Sequence, residues 1–169
     1  MEKPLPPEPT AKAEIDHLVG SFFALFSNGK GREPDLHRIF DLFVPPGILI
    51  KASGQEPEIT SIQDFISPRQ ALLTDGTLTD FSETETSHST FIFGKIAHRV
   101  SAYQKSGRLN GEWFSAQGMK SFQFIHTAMG WRISSMAWDD ERPGLLLSAA
   151  QVFDKGDWRR PDRGPSLQK

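Results

Sequence analysis

Apolar residues in the first part of the chain recur at helical spacing. Ile15, Leu18, Val19, Phe22, Leu25 and Phe26 fall at i, i+3, i+4, i+7, i+10 and i+11, a single stripe of a helix. This predicts a helix over 11–27, widened by Phe23 and stopped by Asn28-Gly29. Leu36, Ile39, Phe40 and Phe43 repeat the spacing behind Asp35, a capping residue type, and Pro45-Pro46-Gly47 should end this second helix. "ILIKAS" (48–53) reads as a short strand. A third helical region, 60–76, carries two start signals, Thr60 with Gln63 and Ser67-Pro68 with Gln70, so a restart near Pro68 is expected.

From Leu78 the pattern changes. "LTDFSETETSHSTFIF", "KIAHRVSAYQ", "WFSAQGMKSFQFIHT" and "WRISSMAW" are rich in Thr, Phe, Ile, Val and Trp and are separated by turn residues. Three helical segments with one early strand, then four consecutive strands, predict an α+β domain. Pairing assigns the faces. With Phe93-Gly94 as the turn, Phe91 opposes Ile96, Ser89 opposes His98 and Ser87 opposes Val100. Phe91, Ile96 and Val100 then share a face expected to be buried, with His98 and Glu85 on it, while His88 points the other way, near Arg99. With "AMG" as the last turn, Ile125 opposes Ile133, Gln123 opposes Ser135 and Met119 opposes Asp139. The opposite face carries Phe122, Phe124, Met136 and Trp138. Both faces are partly apolar, and the pattern does not choose which one is internal.

Composition narrows the classes. At 169 residues, one domain is expected. Residues 1–10 hold four prolines and read as a loose arm; 11–143 form the domain; 144–169 form a partly disordered, mildly basic tail. The chain has no cysteine, so disulfides, thiolate metal sites and cysteine nucleophiles are excluded. With 19 basic and 21 acidic residues and no dense basic face, nucleic acid is not the expected partner. No apolar run approaches a membrane span, and the first residues lack a signal core, so a cytoplasmic protein is expected. The five histidines lack HExxH spacing, and there is no glycine-rich phosphate loop or Gly-x-Ser-x-Gly elbow. No metal and no cofactor are therefore expected.

The segments "FISPRQALLTDGTLTDFSETE" (65–85), "FGKIAHRVSAYQ" (93–104), "GMKSFQF" (118–124) and "GWRISSMAWDDE" (130–141) resemble the nuclear transport factor 2-like superfamily. That superfamily includes ketosteroid isomerase, scytalone dehydratase and the SnoaL-type cyclases. The resemblance covers roughly residues 12–143 and is closest to a bacterial branch. It implies a cystatin-like cone, a curved sheet wrapped round the first helix with one open end, and a homodimer through the outer sheet face. It also marks departures. The early strand offers Lys51 where a steroid isomerase carries its carboxylate base, and the chain has a single tyrosine, Tyr103.

Within such a cone His98 is the candidate polar group, with Glu85 or Glu83 raising its pKa and Asp139 at the rim as a second carboxylate. Phe22, Phe26, Phe91, Gln123 and Trp138 are the candidate ligand-binding side chains. Each has a plainer reading: His98 as a hydrogen-bonded core histidine, "SETET" as a solvated strand, Asp139 as part of an acidic turn, and the phenylalanines as core. Tyr103, near a strand end, reads as surface packing. Two functions stay open. One is a cofactor-free dehydratase, isomerase or cyclase acting on a small apolar carbonyl compound. The other is a non-catalytic dimeric module that binds a small apolar ligand or supports another protein.

Overall fold

The structure, a computed structural model, describes residues 5–148. Helix α1 (Glu8–Ala24) starts inside the segment expected to be an arm and ends three residues before the expected stop. Its stripe is buried as the spacing requires: Ile15, Leu18, Val19, Phe22 and Phe23 face the core. Phe22 then stacks edge-on against Phe26 and Phe122. The second helix is a short 3₁₀ segment (Leu36–Asp41), with Asp35 Oδ1 accepting from the His37 amide at 3.2 Å. Strand β1 (Phe43–Lys51) begins before the prolines, which sit in an irregular stretch between its pairings at Phe43 and Ile48. After β2 (Glu58–Thr60), helix α2 (Ile62–Thr74) runs through Pro68 without a restart. Its cap is Ser61, whose hydroxyl accepts from the Asp64 amide at 3.1 Å, rather than Thr60.

The long strands β3 (Leu78–Phe93), β4 (Ile96–Leu109), β5 (Glu112–Thr127) and β6 (Gly130–Asp140) follow as a meander. The sheet order is β2-β1-β6-β5-β4-β3, mixed because β1 runs parallel to β6. Helix α1 packs across one face against β3 and β6, and α2 covers β1 and β3 beside it. This is the expected α+β cone.

The register departs from expectation in one consequential way. The β3–β4 turn residues are Gly94-Lys95, with Gly94 at φ 56, so Phe93 pairs with Ile96 and Phe91 with His98. Phe91, Ile96, His98 and Val100 do share a face, but it is the outer one: Phe91 and Phe93 are 70% and 72% exposed. The inner face of β4 carries Ala97, Arg99, Ser101 and Tyr103, all buried. Glu85 parts company with Phe91 because Thr86 is an extra residue in β3, a bulge that turns Glu83 and Glu85 inward. A second bulge at Ser134 pairs Ile125 with Arg132 and keeps Ile133 and Met136 both inside, while Gln123–Ser135 and Met119–Asp139 pair as expected. The internal face is the one carrying Phe122, Phe124, Met136 and Trp138.

Candidate functional site: a buried lysine–glutamate pair in an apolar cavity

A cavity of about 580 Å³ opens at the end of the sheet beyond the last turn of α1, within the size range of small-molecule sites. Phe22 of α1, Phe26 just past its end, and Met136 and Trp138 of β6 line it on the core side. Helix α2 contributes Phe65, Pro68, Arg69 and Leu72, and the tips of β1 and β2 contribute Lys51 and Glu58. Asn28 holds the joint where these walls meet. Its amide nitrogen donates to the Leu73 and Leu78 carbonyls at 2.9 and 2.6 Å, and its Oδ1 accepts from the Phe81 amide at 2.8 Å. Leu73, Leu78 and Phe81 all face the cavity.

Two of the ionisable groups on this wall, Lys120 and Glu83, are buried. Lys120 Nζ lies 2.7 Å from Glu83 Oε1, with side-chain exposures of 6% and 8%. The strand period puts Lys120 there: it shares a face of β5 with Phe122 and Phe124, two and four residues on. Glu83 reaches it from β3, paired with Lys105 of β4. The Lys120 ammonium also stands 4.0 Å from the Tyr103 ring centroid and 5.6 Å from that of Trp138, a cation–π arrangement. Burial lowers the Lys120 pKa, and Glu83 only partly opposes this.

Beside the pair, the Tyr103 hydroxyl donates to Asp140 Oδ1, and Lys105 Nζ lies 2.9 Å from both Asp140 oxygens. Burial and the Asp140 carboxylate raise the Tyr103 pKa, so it stays a neutral donor. Burial also pushes the Asp140 pKa upward, but the bonds from Tyr103 and Lys105 outweigh it and hold the group below the usual carboxylate range. Tyr103, expected at the surface, is wholly buried.

Of the expected site residues, Phe22, Phe26 and Trp138 line the cavity. His98, Phe91 and Gln123 do not. They form one row across the outer face, where the Gln123 amide lies 2.7 Å from His98 Nδ1. Asp139 also faces outward, paired with Arg142 at 2.5 Å, and its neighbour Asp140 is the residue that turns in. Glu85 is internal but away from the cavity. It receives Arg99 Nε and Nη2 at 2.9 and 2.5 Å and the Ser101 hydroxyl at 2.6 Å, while Arg99 Nη1 reaches Asp16 of α1 at 2.5 Å. Burial raises the Asp16 pKa, but the bonds from Lys12 and Arg99 bring it below its ordinary value. His88 faces this same cluster, and burial with the neighbouring Arg99 charge lowers its pKa.

Among the described residues, no group of three or more His, Asp or Glu is placed to hold a metal ion. No helix there is long and apolar enough to cross a membrane.

This fold has known counterparts. A nuclear transport factor 2-like superfamily protein from Salmonella enterica serovar Typhimurium superposes with a TM-score of 0.66 at 15% identity, over 80% of this chain and 94% of that one. The chain has the nuclear transport factor 2-like fold. A further such protein with a cystatin-like fold, from Novosphingobium aromaticivorans, gives 0.63 at 19% identity over 84% of this chain and 86% of its own. A cystatin-like fold protein from Caulobacter vibrioides gives 0.61 at 14% identity, covering 80% and 92%. No family model matches the chain, and no curated protein sequence does. On this fold, the lysine–glutamate pair is a property of these particular residues, not of the shared backbone.

Proposed function

We propose that the cavity takes a small apolar carbonyl compound and that Glu83 and Lys120 move a proton on it without a cofactor, as in an isomerase or dehydratase. The observation that carries this is the 2.7 Å pair of buried, oppositely charged side chains on the wall of a largely apolar cavity, whose other ionisable groups, Lys51, Glu58, Arg69 and Lys105, are less buried. Glu83 accepts a proton from the carbon next to the carbonyl as that C–H bond breaks. The electron pair moves onto the carbonyl oxygen, which takes a hydrogen bond from the Lys120 ammonium. The ammonium has three donors, and Glu83 occupies one. Return of the proton to a different carbon completes an isomerisation. The apolar wall strengthens both interactions by keeping out water.

Deuterium wash-in tests this. With 1-indanone in deuterated buffer, the wild-type protein should speed exchange of the hydrogens next to the carbonyl. Glu83→Gln should lose about 100-fold of that rate or more, the usual scale of a positioned general base. Wild-type exchange no faster than buffer would remove the catalytic reading.

A second reading, a non-catalytic binding module, has its own support: Tyr103, Trp138 and Phe23 surround the Lys120 ammonium and could hold it as a purely structural cation. It predicts binding without exchange. Either function fits a homodimer through the outer sheet face, where Phe91, Phe93, Ile96 and Ile125 lie exposed on adjoining strands. Light scattering should give a dimer mass for the wild type and a monomer mass for Phe93→Glu/Ile96→Glu.

A further inference from the structure

Four cations line the cavity: Lys51, Arg69, Lys105 and Lys120. Three have carboxylates beside them. Lys51 lies 3.8 Å from Glu58, Lys105 is 2.9 Å from Asp140, and Lys120 is 2.7 Å from Glu83. Arg69 has no ion-pair partner among the described residues. Its guanidinium sits over an aromatic surface, 3.8 Å from the Phe65 ring centroid and 5.6 Å from that of Trp138. Nη1 donates to the Phe65 carbonyl at 2.8 Å, which fixes the group on the wall of the cavity. That bond occupies one of its five donors. Glu58 and Glu83 favour its charge from a distance, but neither pairs with it, and a half-buried guanidinium that is held in place with donors to spare suits a planar anion with two acceptors, since carboxylates take Arg in a forked pair.

We infer that Arg69 is the specificity residue of this pocket and that the ligand carries a carboxylate on an apolar, aromatic-sized body. The inference rests on the cavity being the ligand site and adds the ligand's charge. Arg69 and Lys120 are each 5.6 Å from the Trp138 ring, so they are no more than twice that distance apart. A ligand whose acid end meets Arg69 therefore lays its body along Trp138 with its far end toward Lys120 and Glu83. Burial lowers the Arg69 pKa and Glu58 and Glu83 only partly oppose this, so an incoming anion relieves the cost that remains.

The test compares 2-naphthoate with its uncharged methyl ester on the full chain, following the Trp138 indole N–H by NMR. Wild-type protein should bind the acid at least ten-fold more tightly than the ester. Arg69→Gln should bring the acid to the ester's affinity and leave the ester unchanged, and Arg69→Lys should fall between. Equal wild-type affinities, no binding of either probe, or equal weakening of both by Arg69→Gln would overturn the inference; the last result would mark Arg69 as a support for Phe65. 1-Indanone has no carboxylate, so its deuterium exchange judges the Glu83–Lys120 reading independently. Exchange without acid preference would break only the carboxylate subsite, and acid preference without exchange only the catalysis.

Discussion

Two buried charge clusters lie under the same sheet, and they differ in what covers them. In each, a basic side chain from a central strand pairs with a glutamate of β3: Arg99 with Glu85, Lys120 with Glu83. Helix α1 crosses the first and adds Asp16. Every nitrogen of the Arg99 guanidinium then has an acceptor, with Thr90 sharing Nη1 at 3.3 Å. Beyond the end of α1 at Ala24, the second cluster faces a cavity. The charges alone do not separate the two clusters. What differs is that α1 adds a carboxylate, Asp16, to the first, whereas it meets the second through the Phe23 ring and leaves it on the wall of the cavity.

The largest expected effect breaks this comparison most directly. Arg99→Met leaves Glu85 and Asp16 facing each other without their shared cation, and removal of one partner from a buried pair costs about 3–5 kcal/mol. Asp16 is partly exposed, which favours the lower end. The double change Lys120→Met/Glu83→Leu removes both charges at once and fills the space with hydrocarbon, so it should cost about 1 kcal/mol or less. Urea unfolding of the two variants decides it. Comparable losses would mean that the cavity pair is as structural as the closed cluster.

Gly118→Ala should come next, at about 1–3 kcal/mol, the usual range for overpacking. A methyl group there would run into the Asp139 carbonyl and the Tyr103 hydroxyl, well inside van der Waals contact. Gly118 pairs with Asp140 on β6 and with Tyr103 on β4. The glycine therefore makes room for the Tyr103–Asp140 bond at the flank of the cavity. Thermal unfolding measures the loss, and the chemical shift of the Tyr103 ring should move with it. A variant as stable as wild type would show that β5 can shift outward without breaking that bond.

How much of this was legible depended on whether strand parity survived. The α1 stripe was readable because 3.6-residue spacing holds from Ile15 to Phe26. Lys120 was also readable: its distance from Phe122 and Phe124 puts it on their face, and that face proved internal. What misled was the usual rule that the more apolar face is buried. On β4 the internal residues include Arg99 and Ser101, while Ile96 lies outside. His98 therefore looked internal and His88 external, the reverse of what is found. The bulges at Thr86 and Ser134 each switch parity within a strand, and nothing local in "ETETS" or "ISSM" announces them. Pro45-Pro46 reads as a helix stop by its missing donors, yet it sits in the irregular part of β1, where the ladder already skips residues. The expected basic tail lies beyond the described residues.

A smaller effect sharpens the contrast through pH. His88 faces Arg99, Glu85, and Asp16 and Lys12 of α1, and its pKa is lowered first by burial and then by Arg99. The unfolded chain takes up this proton near pH 6.5, whereas the folded chain resists it to lower pH. Below about pH 6.5 the unfolded state binds more protons, so stability falls as pH falls until the folded group also titrates. His88→Gln should flatten the decline between pH 6.5 and 5. The losses tied to Asp16 and Asp140, whose folded pKa values are lowered, fall below about pH 4 and should remain. An unchanged slope between pH 6.5 and 5 would place the proton uptake elsewhere.

The smallest expected effect concerns His98, one strand away on the opposite face. Its ring meets Gln123 on the outer surface, with no contact to either charge cluster. His98→Ala should change stability by no more than about 0.5 kcal/mol, as surface substitutions usually do, and should leave 1-indanone exchange as in wild type. A loss of exchange would mean that the outer face reaches the cavity chemistry. A loss of dimer mass with exchange intact would instead place His98 in the contact between copies, because it lies in the same row as Phe91 and Gln123. Comparing His88→Gln and His98→Ala under one set of conditions thus tests which face is internal. The two histidines are ten residues apart on opposite faces, and the helix-covered face is the one that takes the first, beside Arg99, while the second meets Gln123 outside.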